Sequence, residues 1–167
     1  MSTDARKTVM RMIPYGLYVM AAETDEGDAA AAAVSWVSQA SFEPPLVMCG
    51  VRVGSRIHGV VRAARAFSLN VLGKDQGSLA QRFFKGPGKE GNTLGGEPYH
   101  RGKLGAPVLE TTPAFMVCEL DLSLEKGDHS IFVGEVVDAG VRGEIQGRPD
   151  QVTLTLKDVG EKIFYGG

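Results

Sequence analysis

The residues of this chain that could do chemistry sit in three short segments. In "SWVSQAS", Ser35, Ser38 and Ser41 recur at every third position around Trp36 and Val37. A strand with one buried and one wet face alternates with a period of two, so this spacing breaks the strand pattern. It reads either as a bulged edge strand or as a surface offering hydroxyl and backbone donors to a flat, polar heterocycle. In "VGSRIHG", Gly54, Ser55 and Arg56 open a helix, where free backbone N–H groups and the helix dipole favour an anion such as phosphate. The plainer reading is that Ser55 caps the helix and Arg56 is solvated. Lys85, just after a second helix, either adds charge to the same pocket or is an ordinary surface lysine. In "GDHSIFVGEV", His129 begins a hairpin strand, as a polar turn residue or as an imidazole that meets a charged or hydride-donating ligand. The first two segments together describe a ring at one end of a site and a phosphate at the other.

Other chemistries lack their residues. There is no GxSxG elbow, and His58, His100 and His129 are widely separated, without a carboxylate–histidine pair at ligand spacing. Neither a nucleophilic triad nor a metal site is expected. Cys49 and Cys118 lie far apart in apolar runs and read as buried free thiols. A net charge of -2 with no basic stripe argues against nucleic acid. No window approaches the roughly 20 apolar residues of a membrane span, and no leader-like segment opens the chain, so no membrane contact and a cytoplasmic location are expected. The 167 residues suit one domain, residues 1–167, with an apolar core that needs no staples.

The elements that must position those segments are mainly strands. Thr3 or Asp4 caps a helix through "ARKTVMRMI" with Val9, Met10 and Ile13 on one face, ended by Pro14. "YGLYVMAA" is a strand that turns through "TDEGDA". "AAAAAVSWV" would be a helix on alanine propensity alone, but it follows a tight turn and leads into β-branched and aromatic residues, so a strand is expected. "PLVMCGVRV" reads as a buried strand, and "SRIHGVVRAAR" as a helix with Ile57, Val60, Val61 and Ala64 inward. "AFSLNVL" is a strand, and Asp75 caps a helix "QGSLAQRFF" with Leu79, Phe83 and Phe84 inward. Residues 86–107 form a long glycine-rich loop, usually a functional or mobile feature. In "CELDLSLE", Leu120, Leu122 and Leu124 alternate with polar residues as one buried face. "KGDHS" turns into the antiparallel "IFVGEVVDAGV", and "QVTLTL" is a last strand before an aromatic tail, "KIFYGG". At least seven strands and two or three helices predict a mainly β fold with α additions, an antiparallel barrel.

The segments "PYGLYVMAA", "AVSWVSQASFEPPLVMCGV", "GSRIHG", "FSLNVL", "SLAQRFF", "GAPVL" and "GDHSIFVGEV", in this order, resemble the flavin reductase-like proteins, which bind FMN in a Greek-key-like split β-barrel. The resemblance covers residues 5 to 142. It implies a homodimer with FMN, or FAD, held noncovalently near the subunit interface. It implies a flavin reduced by NADH or NADPH and then passed to a partner monooxygenase or reoxidised in place. The alternative it allows is an FMN electron carrier fed by a protein partner. Carried over by position, Ser35, Trp36, Val37 and Ser38 would line the isoalloxazine ring, and Ser41, Gly50 and Val51 would approach the ring or ribityl chain. Ser55, Arg56 and Ile57 would form the phosphate end, Phe84 and Lys85 would close over the cofactor, and His129 would meet flavin or nicotinamide. Trp36 stands where many reductases have a small residue, and "VGEKIF" replaces the usual "TGW" before the final glycines. The roles of Trp36 and of the tail, residues 157–167, therefore stay open.

Overall fold

Burial overrides alanine's helix propensity in the first hairpin. In the computed structural model, which describes residues 3–166, Tyr18–Glu23 (β1) and Ala29–Val34 (β2) pair antiparallel from Tyr18↔Val34 to Glu23↔Ala29. Every β2 side chain is buried. Ala30, Ala32 and Val34 join one core cluster, and Ala29, Ala31 and Ala33 join a second on the opposite face. A strand covered on both faces reads as an unbroken apolar run, and the ladder to β1 satisfies its backbone.

Five more strands complete this sheet: Val37–Ser41 (β3), Leu46–Arg52 (β4), Ala66–Val71 (β5) and the long hairpin Ala114–Glu125 and His129–Val141. With the four short strands Lys89–Glu90 (β6), Thr93–Leu94 (β7), Glu97–Arg101 (β8) and Pro107–Leu109 (β9), the hairpin strands are β10 and β11. The order is β2-β1-β5-β10-β11-β4-β3, all antiparallel. The two edge strands, β2 and β3, are consecutive in the chain yet do not pair with each other, so the barrel is split where residues 35 and 36 join them. Phe67, Leu69, Leu120 and Phe132 fill its interior beneath the helix Arg56–Ala64. Gly134 is required in that interior, because a Cβ there would lie 2.8 Å from both Cys118 Cβ and the Phe67 ring. Burial pushes the Cys118 thiol up to about 12 and raises Cys49 further, so both free thiols are inert packing groups.

Three helices match the sequence reading in position: Thr3–Arg11 (α1), Arg56–Ala64 (α2) and Gly77–Phe83 (α3). Ser55 caps α2, its Oγ accepting from the His58 N–H at 3.4 Å. Asp4 lies inside α1 rather than at its cap, and the side chain of Thr3 lies outside the described residues. Asp75 does not cap α3. Gln76 holds that position, and its amide accepts from Gly73 N–H at 2.9 Å and donates to Thr111 O at 2.8 Å. Among the described residues, no helix is long and apolar enough to cross a membrane.

Three expectations are corrected. Residues 86–107 are not an open loop: β6 to β9 form a small antiparallel sheet. Buried polar groups pin it. Glu23 accepts from Lys89 at 2.8 Å and Tyr99 at 3.0 Å, Glu97 pairs with Arg82 and Thr111, and Asn70 Oδ1 accepts from Leu109 N–H at 2.8 Å. Such bonds have no hydropathy signature, which is why glycine content alone suggested mobility. Second, Leu122 and Leu124 are 56% and 53% exposed. The β10–β11 register shifts between Leu120 and Leu122, and a one-residue slip sends every later side chain to the other face. Third, "QVTLTL" is not a strand. It is two short helices, Pro149–Val152 (α4) and Leu156–Val159 (α5), joined by residues that bridge singly to Gly73 and Gly16.

α5 is held by a capping box. One Asp158 oxygen accepts from Thr155 N–H at 2.8 Å, Thr155 Oγ1 at 2.6 Å and Lys74 Nζ at 2.6 Å. These donors hold the Asp158 carboxyl at about 2, below its ordinary 3.8. Its contribution is therefore complete above pH 3.8 and is lost as the pH falls through about 2. Asp158→Asn is expected to lower stability by about 1 kcal/mol at neutral pH. The gap in Tm between variant and wild type should close on acidification through that window, as thermal melts across pH will show.

Candidate functional site

The residues that bridge the split of the barrel also build its most distinctive side-chain cluster. Leaving β2, the chain passes Ser35, which is buried, and Trp36, whose carbonyl accepts from Gly50 N–H at 2.8 Å. The indole lies over β4, and a Cβ at Gly50 would stand 2.9 Å from its Cε3 atom. Only glycine permits that approach. The β4–β11 register then sets His129 opposite Arg52. This places the His129 ring 4.5 Å from that of Trp36, tilted by 44°. Tyr165 completes the cluster, 5.2 Å from Trp36 and edge-on to His129 at 5.5 Å. Aromatic contacts of this kind stabilise by about 0.5–1.5 kcal/mol each beyond area burial.

A hydrogen-bond chain runs through the cluster. His129 Nδ1 lies 2.8 Å from Asp128 Oδ1, and Nε2 lies 2.6 Å from the Tyr165 hydroxyl. A carboxylate only accepts, so Nδ1 carries the proton and, in the neutral ring, Nε2 accepts from Tyr165. The bond to His129 lowers the Asp128 carboxyl, and burial raises the Tyr165 phenol. The tail is seated by Gly166, whose N–H donates to Ser35 Oγ at 3.3 Å. A Cβ at Gly166 would meet Leu17 at 2.8 Å and Phe84 at 3.0 Å.

Two spaces lie at the split. A small, partly open cavity of about 30 Å³ is lined by Ala32, Ala33, Val34, Gly50, Val51, Arg52, Ser55, Ile57 and Tyr165. An open groove of about 600 Å³ lies on the other side, between α1 and the outer face of β3, β4 and β11, and Trp36, Val37, Ser38, Gly50 and Ile131 line it.

The structure thus brings together Ser35, Trp36, Val37, Ser38, Gly50, Val51, Ser55, Ile57 and His129. Ser41 stands apart: it pairs with Leu46, four residues and, at a rise of roughly 3.3 Å each, about 13 Å along β4 from Gly50. Arg56 is at the cavity's helix end, where its guanidinium donates to Asp28 Oδ1 at 2.7 Å and to Ala29 O at 3.3 Å. Phe84 is half-buried under the tail, and Lys85 is exposed beyond α3. Sequence reading missed Tyr165 and Asp128, whereas the small residues of the alanine strand do line the cavity through Ala32 and Ala33. The aromatic tail was visible, but nothing in its spacing says that it folds back over a site 36 residues upstream of it, at His129.

Gly50→Ala is expected to force the indole off β4 at a cost of about 1–3 kcal/mol. Trp36 is the only tryptophan, so its emission spectrum and near-UV dichroism should change while the far-UV spectrum does not. An unaltered tryptophan signal would show that the close approach is not required.

Known proteins carry the same fold. Residues 10–158 match the flavin reductase like domain family. The reductase component of 4-nitrophenol 4-monooxygenase/4-nitrocatechol 2-monooxygenase from Rhodococcus opacus is 36% identical over 108 residues, 65% of this chain and 56% of that protein. FMN reductase (NADH) SmoA from Agrobacterium fabrum is 32% identical over 127 residues, 76% of this chain and 70% of that one. The solved styrene monooxygenase flavin reductase from Pseudomonas putida S12 superposes with a TM-score of 0.68 at 26% identity, covering 83% of this chain and 87% of the other. The chain spans little more than half the length of the Rhodococcus relative, 56%. A family match over most of the chain, on a split antiparallel barrel of the same shape, makes it a member of the flavin reductase like domain family.

Proposed function

We propose that this chain is an NAD(P)H-dependent flavin reductase that holds FMN, or FAD in its place, at the split of the barrel. One observation carries the reading: the cavity at the split is walled by small side chains, Ala32, Ala33 and Gly50, with Ser55 and Ile57 of the α2 start on one side and Tyr165, which packs against Trp36 and His129, also in its lining. Small residues leave a flat ring room to approach the backbone. The α2 N-terminus and the Arg56 guanidinium suit the phosphate. Ser35 and Ser38 suit ring oxygens and nitrogens as hydroxyl donors. The residues present therefore fit a flavin.

A bound flavin supplies the electron-transfer chemistry itself. The protein has to bind, orient and shield it. Arg56, with Asp28 to hold its guanidinium at the cavity's end, offsets phosphate charge. Trp36 packs behind the cavity-lining Gly50 and Tyr165 and shields them from water. Asp128 keeps the His129 proton on Nδ1, so Nε2 presents an acceptor to whatever ligand reaches the cluster.

The reading extends to partners. The Rhodococcus and Pseudomonas relatives are reductases of monooxygenases, and this chain is assigned the same task of supplying reduced flavin to a monooxygenase. A homodimer is part of the proposal. Val9 and Met10 of α1 with Ile13 just beyond it, and the sheet face bearing Met48, Leu122, Leu124 and Ile131, are exposed apolar surfaces near one groove, and a second copy would cover them. Buried free thiols suit a reducing compartment, so the cytoplasm is the proposed location.

The test is oxidation of NADH and of NADPH by the purified protein with and without added FMN. Flavin-dependent oxidation with one or both is expected. FMN bound but not reduced would assign an electron carrier instead, and no FMN binding would end the flavin reading. His129→Ala is expected to slow oxidation about tenfold, the worth of one hydrogen bond of roughly 1.4 kcal/mol, while FMN affinity changes less. An unaltered rate removes His129 from the reaction.

A further inference from the structure

Tyr165 stands inside the cavity that the flavin reading assigns to a ring. With its phenol in place the remaining space is about 30 Å³, room for one or two waters and not for three fused rings. The ring of Tyr165 lies against Trp36 and His129, and its hydroxyl bonds His129 Nε2 at 2.6 Å. That nitrogen is the atom the site would otherwise offer to a ligand. The phenol therefore takes both the volume and the hydrogen-bond partner of an incoming group.

The segment that carries it is tied by hydrogen bonds upstream and seated by small contacts downstream. Upstream, Asp158 anchors α5 to Lys74 and Thr155. From Gly160 to Gly166 there is neither helix nor strand. Its polar contacts are individually weak: Ile163 N–H to Gly160 O at 3.0 Å, the Arg11 guanidinium 4.2 Å over the Phe164 ring, and the 3.3 Å bond from Gly166 N–H to Ser35. Its apolar contacts are Ile163, half-buried against the second core cluster, and Gly166, buried beside Leu17 and Phe84. Tyr165 itself is 38% exposed, and its side chain has a path to solvent.

We propose that Tyr165 is a displaceable gate, occupying the ring site in the unliganded protein and latched on His129, and that flavin binds by expelling it. This rests on the flavin reading above. The gate lowers apparent affinity by the fraction of molecules that are open, a cost that removing the phenol abolishes. It also keeps the indole and imidazole covered when no flavin is present.

The test compares FMN affinity, followed by flavin fluorescence, for wild type, Tyr165→Phe and Tyr165→Ala, with hydrogen exchange of residues 160–166 measured with and without FMN. Tyr165→Phe, which loses only the latch, should bind about threefold more tightly, and Tyr165→Ala about tenfold more tightly. FMN should speed exchange in residues 160–166 of the wild type. Equal or weaker FMN binding by Tyr165→Ala, or slower exchange in that segment when FMN is added, overturns the gate while leaving the flavin reading intact. Absence of FMN binding by wild type and both variants overturns the flavin reading and the gate with it. Tyr165→Phe keeps the ring and its packing, so a folding defect in Tyr165→Ala does not remove the comparison.

Discussion

The close approach of Trp36 to Gly50 is the contact on which the rest of the site depends. A sheet whose two edges are consecutive in sequence must open between them. Here the opening is held by one backbone bond from Gly50 to the Trp36 carbonyl and by an indole lying where a Cβ would otherwise be. That placement turns the indole toward His129, and the β4–β11 register brings His129 to the same edge. The small side chains of β2 and the first turn of α2 close the other sides of the cavity. The site is a by-product of how the barrel fails to close.

The same economy explains the polar groups elsewhere. Glu23, Glu97 and Asn70 are buried, each with partners, and they tie the glycine-rich excursion to the main sheet. A buried polar group without partners would destabilise the fold, and with them it fixes one arrangement of chain that apolar packing leaves loose.

Most of the fold was legible because it rests on local chemistry. The alanine strand, the Ser55 cap and the "GDHS" hairpin follow from turn residues, capping geometry and burial that can be read within ten residues. What was not legible depends on pairing across the chain. A single-residue slip near Asp121 exposes Leu122 and Leu124 although their alternation is intact in the sequence. Gln76, rather than Asp75, stands at the N-cap of α3, and its side chain bonds Gly73 and Thr111 instead of the helix. For the site, spacing of serines and a helix start suggested a ring and a phosphate, and family resemblance named the flavin. Ser41 was grouped with the others by period, yet strand direction carries it away from the cavity. The aromatic tail is visible in the sequence, but the place of Tyr165 is not, because a hydrogen bond between residues 129 and 165 is a property of the fold.

The proposed flavin ring sits beside Trp36 at the split of the barrel. Because Trp36 is the chain's only tryptophan, one titration tests it. FMN added to the protein should quench the tryptophan emission almost completely, with the same midpoint as the change in flavin fluorescence, since stacking distance to an acceptor ring leaves little emission. FMN that binds by its own fluorescence while the Trp36 emission is unchanged would place the ring elsewhere and contradict the account.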